Sequence, residues 1–287
     1  MTFRVETATD IAACALTVPI QEEIWSGDVT VPPQLMLATI HNGGFVALGY
    51  VDGDERPAGF VFGFLGIYDY HFRHHSHMLA IRPEHRGTGV AVALKEAQRD
   101  HCLDQGIEIM AWTMDPLEAL NAYFNFAKLG TYAREYHRDF YGPMPDKLNA
   151  GLPSDRFYVE WPIGMDRTYK RLKGEDRSPS LEDAEGEGIR ALLRADGTRP
   201  VLQEPPAGES HLLVEIPSDF QAIKRADASL ALEWRIAARG AFEGAFAEGY
   251  AAVEFLRGSD GRGAYLLVPQ PQRVRPGPAS PARGEPQ

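Results

Sequence analysis

A short glycine-rich loop is the part of this sequence with the clearest chemical potential. It consists of Arg86, Gly87, Thr88, Gly89, Val90 and Ala91, between a predicted strand and a predicted helix. Glycine allows a sharp turn and a close approach of the backbone to a ligand, and the first amides of a helix have no acceptor within that helix. The loop therefore predicts a site for an anion such as a phosphate or pyrophosphate. A purely connecting role for the loop stays open.

Two widespread phosphate-binding motifs do not fit this loop. A P-loop requires Gly-Lys-Ser/Thr at the start of the helix, and Val90 follows Gly89 here. The dinucleotide fingerprint requires three glycines spaced G-x-G-x-x-G and an acidic residue about 20 residues further on. Both nucleotide-binding classes are therefore excluded on sequence grounds.

Histidines just before the loop could act as bases. His75 and His77 lie two residues apart on a predicted strand, so their side chains share one face. An imidazole with a pKa of about 6.5 can take a proton from an amine near neutral pH. The alternative is a pair satisfied by backbone or cross-strand partners. Although His71 and His74 enlarge the cluster, no cysteine or spaced carboxylate completes a site, so we expect no metal.

The apolar spacing predicts the elements that position these residues. Strands are expected at 44–51, 58–66, 75–82, 107–113, 131–140 and 156–163. Helices are expected at 11–18, 33–41, from 90 to Gly106, and at 116–129. This order predicts a mixed α/β domain over 1–165.

The rest of the chain divides by composition. Residues 166–200 are polar and predict a linker with one short helix near 189–193. Region 201–268 predicts a smaller strand–helix–strand unit, with Ser218 capping its helix and Gln221 completing a capping box. Its order echoes that of 75–113, so a degenerate internal duplication and a coincidence both stay open. The proline-rich tail, 269–287, is expected to be disordered.

Composition narrows the class of protein. The chain has 287 residues, 44% of them hydrophobic, and a net charge of −11, which makes a nucleic-acid partner unexpected. The longest apolar run, 58–68, is too short for a membrane helix, and the start lacks the pattern of a secretory signal. The two cysteines, Cys14 and Cys102, give no disulfide framework. We expect a cytoplasmic protein without a membrane partner.

Residues 79–91 resemble the acetyl-CoA-binding motif of the GCN5-related N-acetyltransferase (GNAT) superfamily. Arg86, Gly89 and Ala91 match its Arg/Gln-x-x-Gly-x-Gly/Ala signature. The resemblance covers about 1–165 and implies the GNAT fold, with a mixed, mostly antiparallel central sheet. The segments 112–117 and 121–125 are also similar to a bacterial branch of the superfamily, which implies no particular substrate.

The resemblance also implies roles for individual residues. The amides of residues 87–91 would hold the pyrophosphate of acetyl-CoA or another acyl-CoA. The motif strand, at Leu79, Ala80 and Ile81, would bond the pantetheine arm and the thioester carbonyl. His-x-His-x-Leu-Ala-Ile is similar to the motif strand of arylalkylamine N-acetyltransferases, which implies that His77 is the nearer base and His75 its partner.

The sequence departs from the family at the general acid. Phe126 stands where many members have a tyrosine, and Ala119 where a CoA-contacting asparagine is common. Tyr123 and Asn121 are the nearby polar groups that could substitute. Trp112 and Asp115 are expected at the mouth of the cleft, where Asp115 either holds a cationic amine or caps a helix.

These observations lead to one hypothesis and one alternative. The hypothesis is a CoA-dependent N-acyltransferase that moves an acetyl group directly to a small amine by general-base catalysis. The alternative is a catalytically silent CoA-binding sensor or scaffold, favoured by the missing tyrosine and asparagine. The C-terminal half would pack on the first domain, closing one wall of the cleft, or mediate a homodimer.

Overall fold

The computed structural model describes residues 3–25, 30–143, 151–204 and 210–269. In the first half the strands are β1 (Phe3–Thr7), β2 (Phe45–Val51), β3 (Gly59–Tyr68), β4 (His71–Ile81), β5 (Ile109–Met114), β6 (Tyr132–His137) and β7 (Arg156–Pro162). The helices are α1 (Ile11–Ala15), α2 (Val18–Trp25), α3 (Pro33–Ile40), α4 (Val90–Asp104) and α5 (Ala119–Ala122), and a π-helical segment follows at Tyr123–Leu129.

The second half adds further elements to the same sheet. They are α6 (Asp166–Lys173), α7 (Leu181–Gly186), β8 (Arg190–Asp196), β9 (Arg199–Leu202), β10 (Leu212–Ile216), α8 (Phe220–Ala226), α9 (Ala228–Ala247), β11 (Tyr250–Arg257) and β12 (Gly263–Pro269). The twelve strands are ordered β1-β2-β3-β4-β5-β7-β6-β11-β12-β10-β8-β9. Strand β4 pairs with β5 and β10 with β8 in parallel, and the other recorded pairings are antiparallel. The predicted mixed α/β fold is confirmed.

Strand β2 shows why the first half forms layers around the sheet. Its sequence FVALGYV is buried at every position, as expected for a strand covered on both faces. Val46 and Leu48 pack among α1, α2 and α3, whereas Phe45 and Ala47 pack on Val90 and Leu94 of α4. Thus α4 lies on the opposite face of the sheet from α1–α3.

The neighbouring parallel strands β4 and β5 are paired over a short distance. The recorded pairs are His74 with Met110 and His75 with Ala111, although β4 continues to Ile81 and β5 to Met114. The β3–β4 register also shifts between Phe62 and Phe64. This bulge places two residues of β4 against one of β3. The strands therefore separate just after His75, and a cleft opens between them.

The polar segment 166–200 is ordered, and our linker prediction is wrong there. It forms α6, α7 and β8, and the expected short helix at 189–193 is a strand whose Leu192 and Leu193 are buried. Arg171 of α6 is buried and donates to Glu254 of β11 at 2.6 Å. Glu254, which is 83 residues away from Arg171 along the chain, thus holds α6 in place. The polar composition of this segment had indicated exposure to solvent.

Two other local predictions for the second half are corrected or fall outside the structure. Asp219, not Ser218, caps α8, because its carboxylate accepts the Ala222 amide at 2.8 Å. Pro269 ends β12, and 270–287, where we predicted a disordered tail, lies outside the described residues.

The second half repeats part of the topology of the first. In both β5–α5–β6–β7 and β10–α8–α9–β11–β12, the last strand lies between the two strands that precede it. The halves meet where Ala133 of β6 pairs with Ala252 of β11. The matching unit is therefore 109–162, not 75–113 as the sequence indicated, and a duplication stays a hypothesis.

One hydrophobic core crosses the boundary between the halves. The Phe157 ring lies 4.6 Å from that of Phe242 on α9, and the Phe126 ring 5.2 Å from that of Tyr265 on β12. The C-terminal half therefore packs directly on the first, while the division into domains remains a prediction. Across the described segments, no helix is both long and apolar enough to span a membrane.

Candidate active site

The glycine loop lies at the start of α4. Gly87 and Gly89 have φ angles of +76° and +104°, which glycine adopts at little cost. The Val92 and Ala93 amides both donate to the Gly89 carbonyl, at 3.0 and 3.1 Å. The amides that come before Val92 lie ahead of the first hydrogen bond within the helix. A Cβ at Gly87 would meet no atom within 4 Å. Open space beside a row of amides suits an anion.

The cleft between β4 and β5 encloses a cavity of about 420 Å³. Its lining residues are Trp25, Ser76, His77, Met78, Leu79, Lys95, Trp112, Thr113, Met114, Asp115, Glu118, Asn121, Phe124, Asn125, Tyr141, Arg156 and Gln221. The structure thus brings together five of the residues selected from the sequence: His77, Leu79, Trp112, Asp115 and Asn121. Gln221 comes from α8, so the C-terminal half contributes to the wall.

The other residues selected from the sequence do not line the cavity. Ala80 packs among α1–α3 on one face of the sheet, and Ile81 packs toward α4 on the other. The ring of Tyr123 lies under the Arg257 guanidinium, 3.6 Å from its centroid. Tyr123 therefore contacts β11. Phe126 is fully buried in the shared core.

His75 and His77 lie on the face of the sheet opposite α4. Their ring centroids are 6.0 Å apart, and each ring also packs on Phe64. Burial lowers the pKa of His77, and it lowers that of His75 to about 4, with His77 and Lys95 adding smaller effects. Both imidazoles are therefore neutral at pH 7.

His77 also borders a second hollow of about 430 Å³ on the α3 face. Its other lining residues are Val31, Leu35, Ala38, Thr39, Asn42, Phe62, Phe64 and Leu65. Because His77 lines both spaces, it stands between a largely apolar hollow and the β4–β5 cleft.

Lys95 is a site residue that our sequence reasoning missed. It is buried, its Nζ donates to Ser76 Oγ at 2.7 Å, and it lies 3.7 Å from the centroid of the Trp112 ring. Burial lowers the pKa of Lys95 to about 7. Lys95 shares the buried face of α4 with Gln98 and Cys102, but these residue types in the sequence do not distinguish that face from a solvated one.

Asp115 is held by arginines. Arg235 of α9 donates to both of its oxygens, at 2.8 and 2.6 Å, and the Leu117 amide donates to it at 2.9 Å. Nearby, Glu118 accepts from Gln221 at 2.6 Å, and burial raises the pKa of Glu118. The Asp115 carboxylate therefore accepts a hydrogen bond from the loop after β5 and forms an ion pair with Arg235. Both acidic side chains contact the C-terminal half.

Comparison with known proteins identifies the class. Residues 16–130 match the acetyltransferase (GNAT) family, and the chain carries an acetyltransferase domain of that family. The superfamily indicated by the glycine loop is thereby confirmed. No curated protein matches the chain.

Several solved structures are similar over a little more than half of the chain. The ribosomal-protein-S18-alanine N-acetyltransferase from Escherichia coli is 14% identical, with a TM-score of 0.44 over 57% of this chain and 96% of that one. Arylalkylamine N-acetyltransferase 2 from Aedes aegypti is 13% identical, with a TM-score of 0.42 over 57% and 100%. The yncA protein from Salmonella typhimurium, solved with acetyl-CoA, is 18% identical, with a TM-score of 0.42 over 57% and 95%.

Proposed function

We propose that this protein is a CoA-dependent N-acyltransferase that moves an acetyl group from acetyl-CoA directly to a small amine. The observation that carries the proposal is the path of β4. This strand places His77 in the cleft, contributes Leu79 to its wall, and leads into the glycine loop. One continuous segment thus supplies a base, a wall for an extended arm and an anion site.

The cofactor site is proposed from the loop and the adjoining strand. The amides of residues 87–91 would hold the pyrophosphate, with Arg86 exposed beside them. The backbone of Leu79, Ala80 and Ile81 would bond the pantetheine arm, and Asn121 would contact it from α5. When bound, acetyl-CoA supplies the acyl group as an activated thioester.

The acceptor amine is proposed to approach through the apolar hollow on the α3 face. Apolar walls from Leu35, Phe62 and Phe64 suit the hydrocarbon body of a small amine. A neutral His77 at the inner end of that hollow can accept the ammonium proton before the nitrogen attacks. His75 would orient and support His77, because its own low pKa makes it a weak base.

A first experiment tests cofactor binding. Acetyl-CoA is titrated calorimetrically into the wild-type protein and into Gly89→Glu, which places a carboxylate at the start of α4. Gly174→Glu is the control, because Gly174 also has a positive φ, of +70°, but lies at the end of α6. We expect micromolar binding to the wild type and to Gly174→Glu, and at least a tenfold loss in Gly89→Glu. Absence of binding to the wild type would overturn the proposal.

A second experiment separates an enzyme from a silent CoA-binding protein. The silent alternative is favoured by the burial of Phe126 and by the position of Tyr123 outside the cleft. Wild type and His77→Ala are compared on a panel of arylalkylamines and aliphatic amines with acetyl-CoA. Turnover that His77→Ala loses while it still binds acetyl-CoA supports the enzyme. Tight binding with no turnover on any amine supports the sensor.

A further inference from the structure

Lys95 lies at the apex of the cleft. The last recorded β4–β5 pair joins His75 to Ala111. The next residue on each strand, Ser76 and Trp112, contacts the Lys95 amine. Lys95 therefore spans the point at which the two strands part.

The Lys95 side chain lines the cavity. One N–H of its amine donates to Ser76, and the amine lies over the Trp112 ring. Ser76 in turn donates to Gln98 Oε1 at 2.8 Å. Because its own hydrogen is engaged in this way, Ser76 positions the lysine and is not poised as a nucleophile.

In the described ranges, no ion pair is recorded for Lys95. The titratable groups that interact electrostatically with Lys95 are His74 and His75 from β4 and Cys102 from α4 itself. The contact from β5 is the Trp112 ring, which has no titratable group. Such an amine can exchange a proton near neutral pH.

His77 and Lys95 lie on opposite faces of the sheet. His77 borders the hollow on the α3 face, whereas Lys95 belongs to α4, the helix that the glycine loop begins. In the proposed function the amine comes from the His77 side and the CoA arm from the α4 side. The sulfur of the thioester then lies on the side of Lys95.

We propose that Lys95 is the catalytic acid that gives a proton to the CoA sulfur as the acyl group leaves. The inference rests on the proposed function. The amine nitrogen, deprotonated by His77, forms a bond to the thioester carbon. As the C–S bond breaks, its electron pair goes to sulfur, and the nitrogen releases its remaining extra proton to solvent and becomes the amide. An N–H proton of the Lys95 ammonium then passes to sulfur and yields the CoA thiol. The neutral amine regains a proton from solvent once CoA has left.

The main test uses CoA itself, and this measurement does not depend on the identity of the acceptor. The ultraviolet absorbance of the thiolate is followed against pH for CoA bound to the wild type, to Lys95→Met and to Lys128→Met. Lys128 is an exposed lysine on the π-helical segment and is the matched control. We expect bound CoA to ionise at least one pH unit lower on the wild type and on Lys128→Met than on Lys95→Met.

The outcomes separate this inference from the proposed function. Binding of CoA with the same thiol titration on wild type and Lys95→Met overturns the role of Lys95 alone. Failure of the wild type to bind CoA overturns both. If Lys95→Met does not fold, Lys95→Arg replaces it. The thiol of CoA bound to Lys95→Arg should still ionise at the lower pH seen with the wild type, while turnover falls at least tenfold. Unchanged turnover would overturn the role of Lys95. Acetylation of Lys95 by acetyl-CoA, seen by mass spectrometry, would make it a nucleophile and also overturn the proposal.

Discussion

Arg235 of α9 holds Asp115, the residue directly after β5, through two hydrogen bonds of 2.8 and 2.6 Å. Arg235 is almost fully buried, and Arg156 lies 3.7 Å from the same carboxylate. Since Asp115 lines the cleft, a helix of the C-terminal half fixes the position of a cleft wall. On the same helix, Arg239 donates to both oxygens of Asp155, each at 2.9 Å.

This arrangement predicts a large stability loss for Asp115→Asn. The substitution would leave the Arg235 guanidinium buried without its counter-charge, which typically costs about 3–5 kcal/mol. The free energy of unfolding is measured by urea denaturation. Asp260→Asn is the control, because Asp260 pairs with Arg262 at the surface, where solvent screens the pair and its loss changes stability little. Equal losses in the two variants would show that the Arg235 pair does not stabilise the interface.

Because His74 is buried, we expect the free energy of unfolding to decrease in acid. Its ring is buried, Gln98 lies 3.1 Å from its Nε2, and burial together with Lys95 lowers its pKa to about 3. Above pH 6.5 the ring is neutral in both the folded and the unfolded chain. Between pH 6.5 and about 3 the unfolded chain takes up a proton that the folded chain refuses, so stability falls by about 1.4 kcal/mol per pH unit.

The variant His74→Gln isolates that contribution. Its amide oxygen can accept from Gln98, but it does not titrate. Urea denaturation at pH 7 and pH 5 should show that the variant loses about 2 kcal/mol less than the wild type over this interval. If both proteins lose the same amount, His74 is not kept neutral by the fold.

The sequence was most informative where local pattern decides structure. The apolar run of β2 needs both faces covered, and the two glycines before α4 need positive φ angles. These requirements arise within a few residues, so the layered sheet and the anion loop could be predicted. Strand β1, at the sheet edge, has just five residues and a mostly exposed pattern, and it was missed.

The remaining features depend on contacts between distant residues. Arg235 and Asp115 are 120 residues apart in sequence, and Arg171 and Glu254 are 83 apart, so neither pair leaves a local signal. Lys95 follows Leu94 on an amphipathic helix and resembles a solvated residue until Ser76 and Trp112 surround it. The π-helical segment 123–129 was predicted as ordinary helix, because its apolar spacing does not distinguish the two.

The buried cysteines predict slow thiol chemistry. Burial raises the pKa of Cys102 to about 12 and also raises that of Cys14. Because the thiolate is the reactive form, the folded protein should not react with Ellman's reagent at pH 8 within minutes. Both thiols should react after unfolding in urea. Rapid reaction of one thiol in the folded protein would mean that its helix opens readily.

From the burial of Lys95 we expect that one substitution in the cleft stabilises the protein. The folded pKa is about 7, whereas an unfolded lysine has a pKa of about 10.4. Above the unfolded value the amine is neutral in both states and burial carries no charge penalty. As pH falls from about 10.4 to about 7, the unfolded chain binds a proton that the folded chain resists, and stability decreases by about 1.4 kcal/mol per pH unit.

Lys95→Met removes this penalty and keeps an apolar contact with Trp112. The variant forfeits the bond to Ser76, worth about 1.5–3 kcal/mol for a charged donor, and the contact of the ammonium with the ring. Because the charge penalty at pH 7 exceeds that loss, we expect Lys95→Met to be more stable than the wild type by about 1 kcal/mol or more in urea at pH 7. The difference should shrink or reverse at pH 10, where the wild-type penalty is almost gone. A gain in stability at pH 7 is what we expect of a residue that is retained for chemistry at a cost in stability. A variant that is less stable than the wild type at both pH values would show instead that the contacts of Lys95 stabilise the fold.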